Sequence, residues 1–464
     1  MSLTALRERL VSALADPALS LPYEKATAHA RAKRAQAVVE LPDFEEQRTL
    51  AARARRDSVE NLQGLIHLFE ERFTKDGGHV HRAHDSVAAR DCVTRILHDY
   101  QARSVVKGKS MLSEEIGLNE HLLAGGYEVY ESDLGEFIVQ IAGHRPSHIT
   151  APALHLSRVD IARLFHEKLG VEYTEDPVEL TKIARVALRE RFLAADAGIT
   201  GANFLIADTG QIVLLENEAN IRMSVTLPRV HIAVVGLEKV IRSSADLGPL
   251  LSVLARSATG QKMGAYTSIL GADGSPPRHV VLVDNGRSTL AQNTVRSEIL
   301  SCIRCGACLN VCPVYERIGG HAYDSAYSGP IGALLGPHHL GTDHGQDLPF
   351  ASSLCGACSE VCPVKIDIAN LLQSERQRYV ETSGASVAER FSWWVWSKVM
   401  TRPRLYRILA RVARGIMQGP GLGRGGNTAM GAWAQGRELP EPAPTSFVHQ
   451  WSRSGGQTSR GKRL

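Results

Sequence analysis

Two related stretches of sequence, in the second half of the chain, decide its fold. Residues 302–313 read CIRCGACLNVCP, and residues 352–363 read SSLCGACSEVCP. The second stretch repeats the Cys-Gly-Ala-Cys and Val-Cys-Pro of the first, with Ser352 at the position of Cys302. Together the two stretches hold seven of the eight cysteines, and Cys92 lies elsewhere. This repetition indicates an internal duplication built around thiol groups.

The cysteine spacing, C-x2-C-x2-C-x3-C-P, is that of the bacterial ferredoxin run that ligates iron–sulfur clusters. Two-residue gaps curl the chain so that three sulfurs converge, and backbone N–H groups of the loop can point at the cluster. Gly306 allows the backbone to approach closely, and Pro313 turns the chain away without leaving an unpaired N–H. The sequence therefore predicts two iron–sulfur clusters, expected to be 4Fe-4S, in an α-helical dicluster ferredoxin-type domain.

In duplicated runs of this kind, the fourth cysteine of each run ligates the other cluster. The predicted ligands of the first cluster are therefore Cys302, Cys305, Cys308 and Cys362. The second cluster receives three cysteines, namely Cys312, Cys355 and Cys358. Zinc is the alternative metal, and zinc ribbons use two separated C-x2-C pairs. The C-x3-C-P endings and the odd total of cysteines favour iron–sulfur.

The second cluster lacks a fourth cysteine, because Ser352 stands where the first run has Cys302. Four explanations are open. Ser352 could bind iron through its hydroxyl, water or hydroxide could fill the position, the cluster could have three irons, or another residue could reach in, for example from a partner chain. Cys92 is expected to be a small core residue, because it shares an apolar helical stripe with Ala89, Val93 and Ile96.

The linker between the two runs contains histidines that could also be ligands: His321, His338, His339 and His344. Histidines without a partner at ligand spacing are weak evidence for a metal site. The linker is also rich in glycine, so we interpret it as a loop that covers the clusters.

The composition is that of a globular protein with several domains. The chain has 464 residues, of which 44% are hydrophobic and 22% are charged. The net charge is +4, but the last twelve residues carry four basic groups and no acid, so the remainder is neutral. A neutral body argues against nucleic-acid binding, which requires a basic face. Neither a secretory signal nor an apolar run of membrane-spanning length is evident, so a cytoplasmic location is expected.

Residue patterns divide the chain into four regions. These are a helical N-terminal region (1–75), an α/β domain (76–290), the dicluster domain (291–375) and a helical, Trp-rich C-terminal region with a basic tail (376–464). Within the α/β domain, short apolar runs predict strands at 105–106, 138–141, 203–206, 212–215, 231–235 and 280–283. The sequence Asp208-Thr209-Gly210 predicts a hairpin over 203–215, and Ser157 is expected to cap a helix. We therefore predict a multidomain α/β fold whose sheet is mainly parallel, with at least one antiparallel pair.

Four segments resemble the lactate utilisation protein B family, whose members are iron–sulfur subunits of a bacterial L-lactate oxidation system. They are SEEIGLNEHLLAGGYEVYESDLGEFIVQI (113–141), GITGANFLIADTGQIVLLENEANIR (198–222), SSLCGACSEVCPVKIDI (352–368) and TRPRLY (401–406). The resemblance covers nearly the whole chain. It implies that the α/β region is a lactate-utilisation (LUD) domain, with a Rossmann-like sheet similar to that of sugar-phosphate isomerases. The family pattern also has seven cysteines, so Ser352 is not a local lesion.

The resemblance further implies electron transfer during the oxidation of L-lactate to pyruvate, together with two partner subunits. One partner type carries cysteine-rich CCG domains, and the other is a second LUD-domain protein. Two other interpretations stay open. The LUD-like domain could itself act on a small acid or sugar-like substrate with the clusters as its electron outlet. The clusters could also form a redox-sensing module without turnover.

Parallel sheets bind ligands beyond the carboxyl ends of their strands, so polar residues near such positions are candidate site residues. They are Lys107, Lys109, Ser110, Glu114, Glu115, Asp133, Asp208, Thr209, Glu216 and Asn217. Paired carboxylates such as Glu114 and Glu115 could do acid–base work, but adjacent residues on a helix point in different directions. The first turn of a helix also favours acids, and Asp208-Thr209-Gly210 suits a hairpin turn. The sequence therefore assigns no catalytic residue.

The C-terminal region contains all five tryptophans, at positions 393, 394, 396, 433 and 451. An amphipathic helix is predicted there, with apolar residues Phe391, Trp394, Val395, Val399 and Leu405 and basic residues Arg390, Lys398, Arg402 and Arg404. Such a helix could lie on the inner face of a membrane as a peripheral contact. It could equally dock on the protein itself or on a partner. We favour docking, because Trp and Arg are enriched at protein interfaces.

Overall fold

The computed structural model describes residues 4–16, 19–339, 345–383, 387–418 and 443–453. His344, Trp433 and the tail after residue 453 lie outside these ranges, and so do the predictions made for them. The chain forms two compact units, Met1–Tyr379 and Val380–Leu464. The first unit contains the α/β region and both cysteine runs.

The first unit begins with helices, as predicted for the N-terminal region: α1 (Thr4–Ala15), α2 (Ser20–Val39), α3 (Phe44–Glu60) and α4 (Leu62–Lys75). In α4, Ile66, Phe69 and Phe73 recur at helical spacing and are fully buried. They share a core with the strand residues Leu205 and Ile212. The N-terminal helices are therefore packed into the main body of the protein.

A parallel sheet forms the centre of the α/β region. Within the described residues it has six strands: β1 (His79–Ala83), β2 (Ser104–Lys107), β3 (Glu128–Glu131), β4 (Ala197–Thr200), β7 (Val230–Gly236) and β10 (Arg278–Val283). Their spatial order is β1-β10-β7-β4-β2-β3. Every residue of β7 and β10 is buried, which is typical of parallel strands covered on both faces. The predicted mainly parallel α/β fold is confirmed.

The intervening strands form a second sheet. They are β5 (Phe204–Ile206), β6 (Gln211–Glu216), β8 (Val240–Ile241) and β9 (Tyr266–Leu270), in the order β8-β5-β6-β9. β5 and β6 run antiparallel. Gly210 closes their turn with a φ of +65°, which glycine adopts without strain. The predicted hairpin is therefore confirmed, and Asp208 and Thr209 belong to its turn.

Helices lie between the strands of the α/β region along the chain. They are α5 (Ser86–Asp99), α6 (Met111–Glu115), α7 (Leu118–Ala124), α8 (Leu134–Ala142), α9 (Arg158–Leu169), α10 (Pro177–Ala194), α11 (Asn220–Thr226), α12 (Leu247–Ala258) and α13 (Arg287–Ala291). Along β7, Ile232 and Val234 share a core with α5, whereas Ala233 and Val235 share one with α4. Cys92 of α5 lies in the first of these cores and is 8% exposed, as predicted for a core residue.

The order of the strands creates a switch point between β2 and β4. From β2 the chain proceeds outward to β3, whereas from β4 it proceeds in the opposite direction to β7 and β10. The loops that follow β2 and β4 therefore leave the sheet on diverging paths. Open α/β sheets bind ligands in the crevice at such a point, beyond the carboxyl ends of the strands.

One predicted strand is wrong, because residues 138–141 lie in α8. Asp133 caps this helix by accepting the N–H groups of Gly135 and Glu136, and Gly143 ends it with a φ of +68°. A short apolar run does not distinguish a strand from a buried helix by periodicity alone. The predicted cap at Ser157 is confirmed, since its side chain and that of Asp160 form a capping box at the start of α9.

Helices accompany the cysteine runs. They are α14 (Ala307–Asn310) and α15 (Pro313–Ile318) at the first run, α16 (Gly329–His339) in the linker, and α17 (Ala357–Val361) and α18 (Ile368–Ser383) at the second. The linker was expected to be a loop, which is wrong for α16. Its residues Ile331, Leu334 and Leu335 are buried, and this burial stabilises a helix despite the glycines.

The second unit contains α19 (Val387–Met400), α20 (Pro403–Gln418) and α21 (Phe447–Arg453). On α19, Trp393, Trp394 and Trp396 are 60%, 57% and 53% exposed. Within the described residues, no helix is both long enough and apolar enough to cross a membrane.

Candidate metal centre and adjoining cavity

The two cysteine runs adopt equivalent backbone conformations. Arg304 and Leu354 occupy matching positions and both have positive φ, at +60° and +55°. Gly306 and Gly356 also match, with φ of +76° and +85°. The helices that contain the third cysteine positions, α14 and α17, pack against one another. The duplication in the sequence is therefore also a duplication of local structure, with the two runs side by side.

The thiols of the runs form two neighbourhoods. Burial raises the pKa of Cys308 well above its usual range, and the thiolates of Cys302, Cys305 and Cys362 raise it further. Burial, followed by the thiolates of Cys312 and Cys355, raises the pKa of Cys358 to about 11. We call these the first thiol group (Cys302, Cys305, Cys308 and Cys362) and the second thiol group (Cys312, Cys355 and Cys358). They contain the same residues as the two predicted ligand sets.

Backbone N–H groups point at several of these sulfurs. The N–H of Arg304 lies 3.4 Å from Cys302 Sγ, and the N–H of Ile366 lies 3.4 Å from Cys362 Sγ. Hydrogen bonds of this kind stabilise charge on the sulfurs of a cluster. Burial raises the pKa of Cys305, Cys308 and Cys362, so a positively charged centre such as iron would be needed to hold them as thiolates. The donor set therefore fits iron–sulfur clusters.

Ser352 occupies the place in the second run that Cys302 occupies in the first. Its Oγ accepts the N–H of Leu354 at 3.1 Å, as Cys302 Sγ accepts the N–H of Arg304. Since Cys302 belongs to the first thiol group, the internal symmetry puts Ser352 Oγ on the corresponding side of the second. Cys355 of the second thiol group is exposed, whereas the most accessible cysteine of the first group, Cys302, is half-buried.

The histidines of the linker contact protein groups. A ring nitrogen of His321 lies 2.8 Å from Arg145 O, and one of His339 lies 3.2 Å from Asn285 O. His338 Nε2 is 3.5 Å from a carboxylate oxygen of Glu375. In the part of the chain that the structure describes, no three Cys, His, Asp or Glu side chains are arranged to hold a metal ion. The fit to clusters rests on the thiol groups and their N–H donors.

Helix α2 fixes the cysteine runs through two arginines. Arg31 donates to Asn310 O at 2.8 Å, and Arg34 donates to Val361 O at 3.1 Å. Burial lowers the pKa of Arg34, while the thiolate of Cys305 opposes that shift. This guanidinium is therefore a positive charge beside the first thiol group.

Helix α3 adds two more arginines. Arg48 donates to Cys362 O at 2.7 Å, and Arg55 donates to Leu300 O at 2.9 Å and to Ser301 O at 3.3 Å. These contacts join the N-terminal helices to both cysteine runs. The sequence did not predict these contacts, because its pattern indicates only that residues 1–75 are helical.

A cavity of about 350 Å³ lies at the switch point of the parallel sheet. Its walls come from residues that follow β2, β4 and β7, and from the first cysteine run, including Ile303, Arg304 and Cys305. Sites for small molecules commonly have volumes of about 300–1,000 Å³. The cavity is large enough for one small ligand, and such a ligand would lie against the loop that carries the first thiol group.

The candidate residues from the sequence divide between this cavity and other places. Those that line the cavity are Lys109, Ser110, Asp133, Glu216 and Asn217. Glu114 instead lies 3.6 Å from Lys107 Nζ, away from the lining. Asp208 and Thr209 lie in the hairpin turn. The rule that ligands bind beyond strand ends therefore found part of the cavity wall.

Lys107 is a buried structural cation. Its Nζ lies 2.7 Å from a carboxylate oxygen of Glu131 and donates to Ser113 Oγ at 2.9 Å. Burial alone would lower the pKa of Lys107, but the carboxylates of Glu131 and Glu114 raise it above its usual value. Lys107 therefore remains charged and paired.

Glu115 belongs to a buried ion network. Arg287 donates to both carboxylate oxygens of Glu115, at 2.9 and 2.7 Å, and to Glu238 at 2.5 Å. Glu238 in turn accepts from Arg304 at 3.3 Å. Burial would raise the pKa of Glu238, but Arg287 and Arg304 lower it to about 2. The network joins α6, α13 and the end of β7 to the first cysteine run, so Glu115 has a structural role here.

Lys239 and Arg304 are lining residues that the sequence did not predict. Lys239 follows the buried strand β7, and burial together with Arg304 lowers its pKa to about 8. Ligands bind beyond the carboxyl ends of parallel strands. This rule, which found Lys109 after β2, also finds Lys239 when it is applied to the end of β7. Arg304 lies within the first cysteine run, and nothing in its spacing indicates a cavity residue.

Three family models match the chain. They describe a LUD domain at residues 66–292, a 4Fe-4S dicluster domain at residues 298–366, and the C-terminal part of lactate utilisation protein B at residues 373–457. The dicluster match spans both cysteine runs. It supports iron–sulfur rather than zinc at the two thiol groups.

Curated relatives match over most of their length. Lactate utilization protein B 2 of Bacillus mycoides (strain KBAB4) and lactate utilization protein B of Bacillus cereus (strain B4264) are each 42% identical to this chain over 424 residues, covering 89% of both chains. A solved structure of a DUF162 family protein from Deinococcus radiodurans matches 48% of this chain and 98% of its own, with 19% identity and a TM-score of 0.27.

Proposed function

This chain belongs to the lactate utilization protein B family, and we propose that it carries electrons released when L-lactate is oxidised to pyruvate. When bound, the two iron–sulfur clusters supply centres that accept and release single electrons. The protein's part is to hold these clusters, set their surroundings and connect them to a source and an acceptor of electrons. We place this activity in the cytoplasm.

The arrangement of the two thiol groups carries the proposal. Cys305 of the first group lines the cavity at the switch point. Cys355 of the second group is exposed at the surface. Electrons released near the cavity would pass through the first cluster to the second and leave at the surface near Cys355. This order supports a relay more than a purely structural role for the clusters.

Within this proposal, the first cluster is ligated by Cys302, Cys305, Cys308 and Cys362, and the second by Cys312, Cys355 and Cys358. We propose that Ser352 Oγ occupies the fourth corner of the second cluster. The hydrogen bond from Leu354 N–H supports this, because it orients the Ser352 side chain as Arg304 N–H orients that of Cys302.

We also propose that the protein works with a CCG-domain iron–sulfur subunit and a second LUD-domain subunit. The exposed tryptophans of α19 support a docking role for this helix, since aromatic residues are enriched at protein interfaces. Co-expression of the three subunits should give a complex that survives size-exclusion chromatography, and Trp393→Ser with Trp394→Ser should weaken it. A complex that forms equally well with this double variant would contradict docking through α19. If α19 instead contacts a membrane, the wild-type protein should sediment with anionic vesicles and the double variant should not.

Growth on L-lactate tests the proposed function. A strain lacking this gene and any other lactate dehydrogenase should grow when given the wild-type gene or the control variant Cys92→Ala. Cys305→Ala should not restore growth, because it removes a ligand of the first cluster. Anaerobically purified wild-type protein should contain iron and acid-labile sulfide. Zinc without sulfide, or full growth with Cys305→Ala, would overturn the proposal.

A further inference from the structure

The acids that line the cavity at the switch point are already engaged by the protein. Among the described residues these acids are Asp133, Glu216, Glu218 and Glu238. Asp133 accepts two N–H groups at the start of α8, and Glu216 accepts two at the start of α11, at 2.6 and 2.9 Å. Glu218 accepts the N–H of the preceding residue, and Glu238 is bonded to two arginines. These carboxylates are therefore fixed as parts of the wall.

The lysines of the wall are less well satisfied. Lys109 Nζ is buried and, among the described residues, has no hydrogen-bond partner. A carboxylate oxygen of Glu136 lies 3.9 Å away, which is beyond hydrogen-bond distance. Lys239 lies in the same wall, where the positive charge of Arg304 opposes its own charge and the carboxylate of Glu238 favours it. Buried ammonium groups are stabilised by anionic partners, and leaving one without a hydrogen bond is costly.

We propose that this cavity binds a small carboxylate anion, held by the ammonium groups of Lys109 and Lys239 against the loop of the first thiol group. The proposal rests on the proposed function and deepens it, because it assigns a ligand site to the LUD-domain end of the electron path. The cavity lies at the switch point between β2 and β4, where open α/β sheets bind their ligands. Carrying electrons through the two clusters does not by itself require a carboxylate-binding site.

The lining favours a small monoanion over a phosphate or a larger anion. The four acids of the wall would repel a dianion more strongly than a monoanion, since Coulomb energy scales with the product of the charges. The hydroxyl of Ser110 and the amide of Asn203 also line the cavity and can bond to a neighbouring hydroxyl or keto oxygen. A 2-hydroxy or 2-oxo monocarboxylate combines these features.

The position of the cavity beside Cys305 couples ligand binding to the first cluster. An anion held there would lie near the first thiol group, which shares the wall through Ile303, Arg304 and Cys305. Its charge would oppose reduction of that cluster and change the cluster's magnetic surroundings. The second thiol group, with exposed Cys355, does not line the cavity and should be affected less.

Ligand binding to the full-length, cluster-loaded protein tests this inference. Calorimetric titrations with L-lactate, pyruvate and inorganic phosphate would be compared for wild type, Lys109→Met and Lys239→Gln. Lys182→Met is the matched control, because Lys182 is a surface lysine with 62% of its side chain exposed. Iron and sulfide content and the EPR spectrum of each reduced variant would establish that both clusters remain. EPR spectra with and without pyruvate would report the coupling to the first cluster.

We expect wild type and Lys182→Met to bind lactate or pyruvate and to show a change in one of the two cluster signals. Loss of a charged hydrogen bond should weaken binding by about 10- to 100-fold in Lys109→Met and in Lys239→Gln. If one variant fails to fold, the other tests the site alone. The inference would be overturned if cluster-loaded wild-type protein bound neither lactate nor pyruvate, or bound only phosphate. It would also be overturned if the lysine variants bound these acids as tightly as wild type. Those results would leave the proposed function intact, because cluster content and growth on lactate test it separately.

Discussion

At the scale of single residues, the pair Cys302 and Ser352 shows what a sequence comparison within one chain can and cannot predict. The duplication placed Ser352 opposite Cys302 from spacing alone. The structure adds that the two side chains accept the same backbone hydrogen bond. What spacing could not reveal is the surroundings of the two runs, which come from distant segments such as Arg34 and Arg48.

Substitution of Ser352 should change how readily the second cluster loses iron. Ser352→Cys supplies a thiolate, a softer and stronger iron ligand, so the three-iron EPR signal that appears on mild oxidation should fall. Ser352→Ala removes the oxygen ligand, so the same signal should rise. Ser252→Ala, on an exposed face of α12, serves as the control. Three-iron signals of equal size in all four proteins would show that Ser352 does not ligate the cluster.

Glu136 should make the protein's stability depend on pH. Burial raises its pKa from 4.5 to about 8, against the opposing charge of Lys109, while Glu131 and Glu114 add to the rise and Lys107 opposes it. The folded protein thus holds a proton that the unfolded chain releases, so this group's contribution to stability is lost as pH rises from about 4.5 to 8.

Glu136→Gln has no ionisable carboxyl, so it removes the fall in stability that Glu136 causes as pH rises. Between pH 6 and pH 8, the stability of the variant relative to wild type should increase, by on the order of 2 kcal/mol. Urea unfolding at both pH values measures the difference. A difference that stays constant with pH would mean that Glu136 is already ionised at pH 6 in the folded protein.

At the scale of elements, the sequence predicted apolar runs that end at turn residues and failed on an apolar run without such a boundary. The buried strands β7 and β10 and the hairpin of β5 and β6 were found because their apolar runs end at clear turn residues. Residues 138–141 were misassigned, because four apolar positions fit a strand as well as one face of α8. The cap at Asp133, only five residues before this run, was the signal that would have corrected the assignment.

The ion network around Arg287 joins elements that are distant in the sequence. Arg287 is fully buried and bonds to Glu115 of α6 and Glu238 near the end of β7. Arg287→Met would leave two buried carboxylates without their main partner, so the free energy of unfolding should fall by roughly 3–5 kcal/mol. Urea unfolding measures this loss.

Arg229→Met is the matched control for that network. Arg229 pairs with Asp196 at 2.7 Å, but 60% of its side chain is exposed, so its loss should cost less than about 1 kcal/mol. Equal losses in the two variants would mean that the buried network contributes no more than a surface pair.

At the scale of the whole molecule, three parts of the chain meet around the first thiol group. The two cysteine runs supply the sulfurs, and the parallel sheet supplies the cavity. Helices α2 and α3 supply arginines that bond to the loop carbonyls. The sequence predicted the first part and some residues of the second. It could not predict the third, because contacts between residues about 300 positions apart leave no periodic pattern in the sequence.

We propose that two clusters, one near the cavity and one near the surface, form a single electron path. Low-temperature EPR of the anaerobic, dithionite-reduced, full-length protein tests it most directly, with Cys355→Ala measured beside wild type and Cys92→Ala as control. Wild type and Cys92→Ala should show two reduced clusters whose spins interact, and Cys355→Ala should show one cluster without that interaction. A wild-type spectrum with a single isolated cluster, or with no cluster at all, would contradict the account.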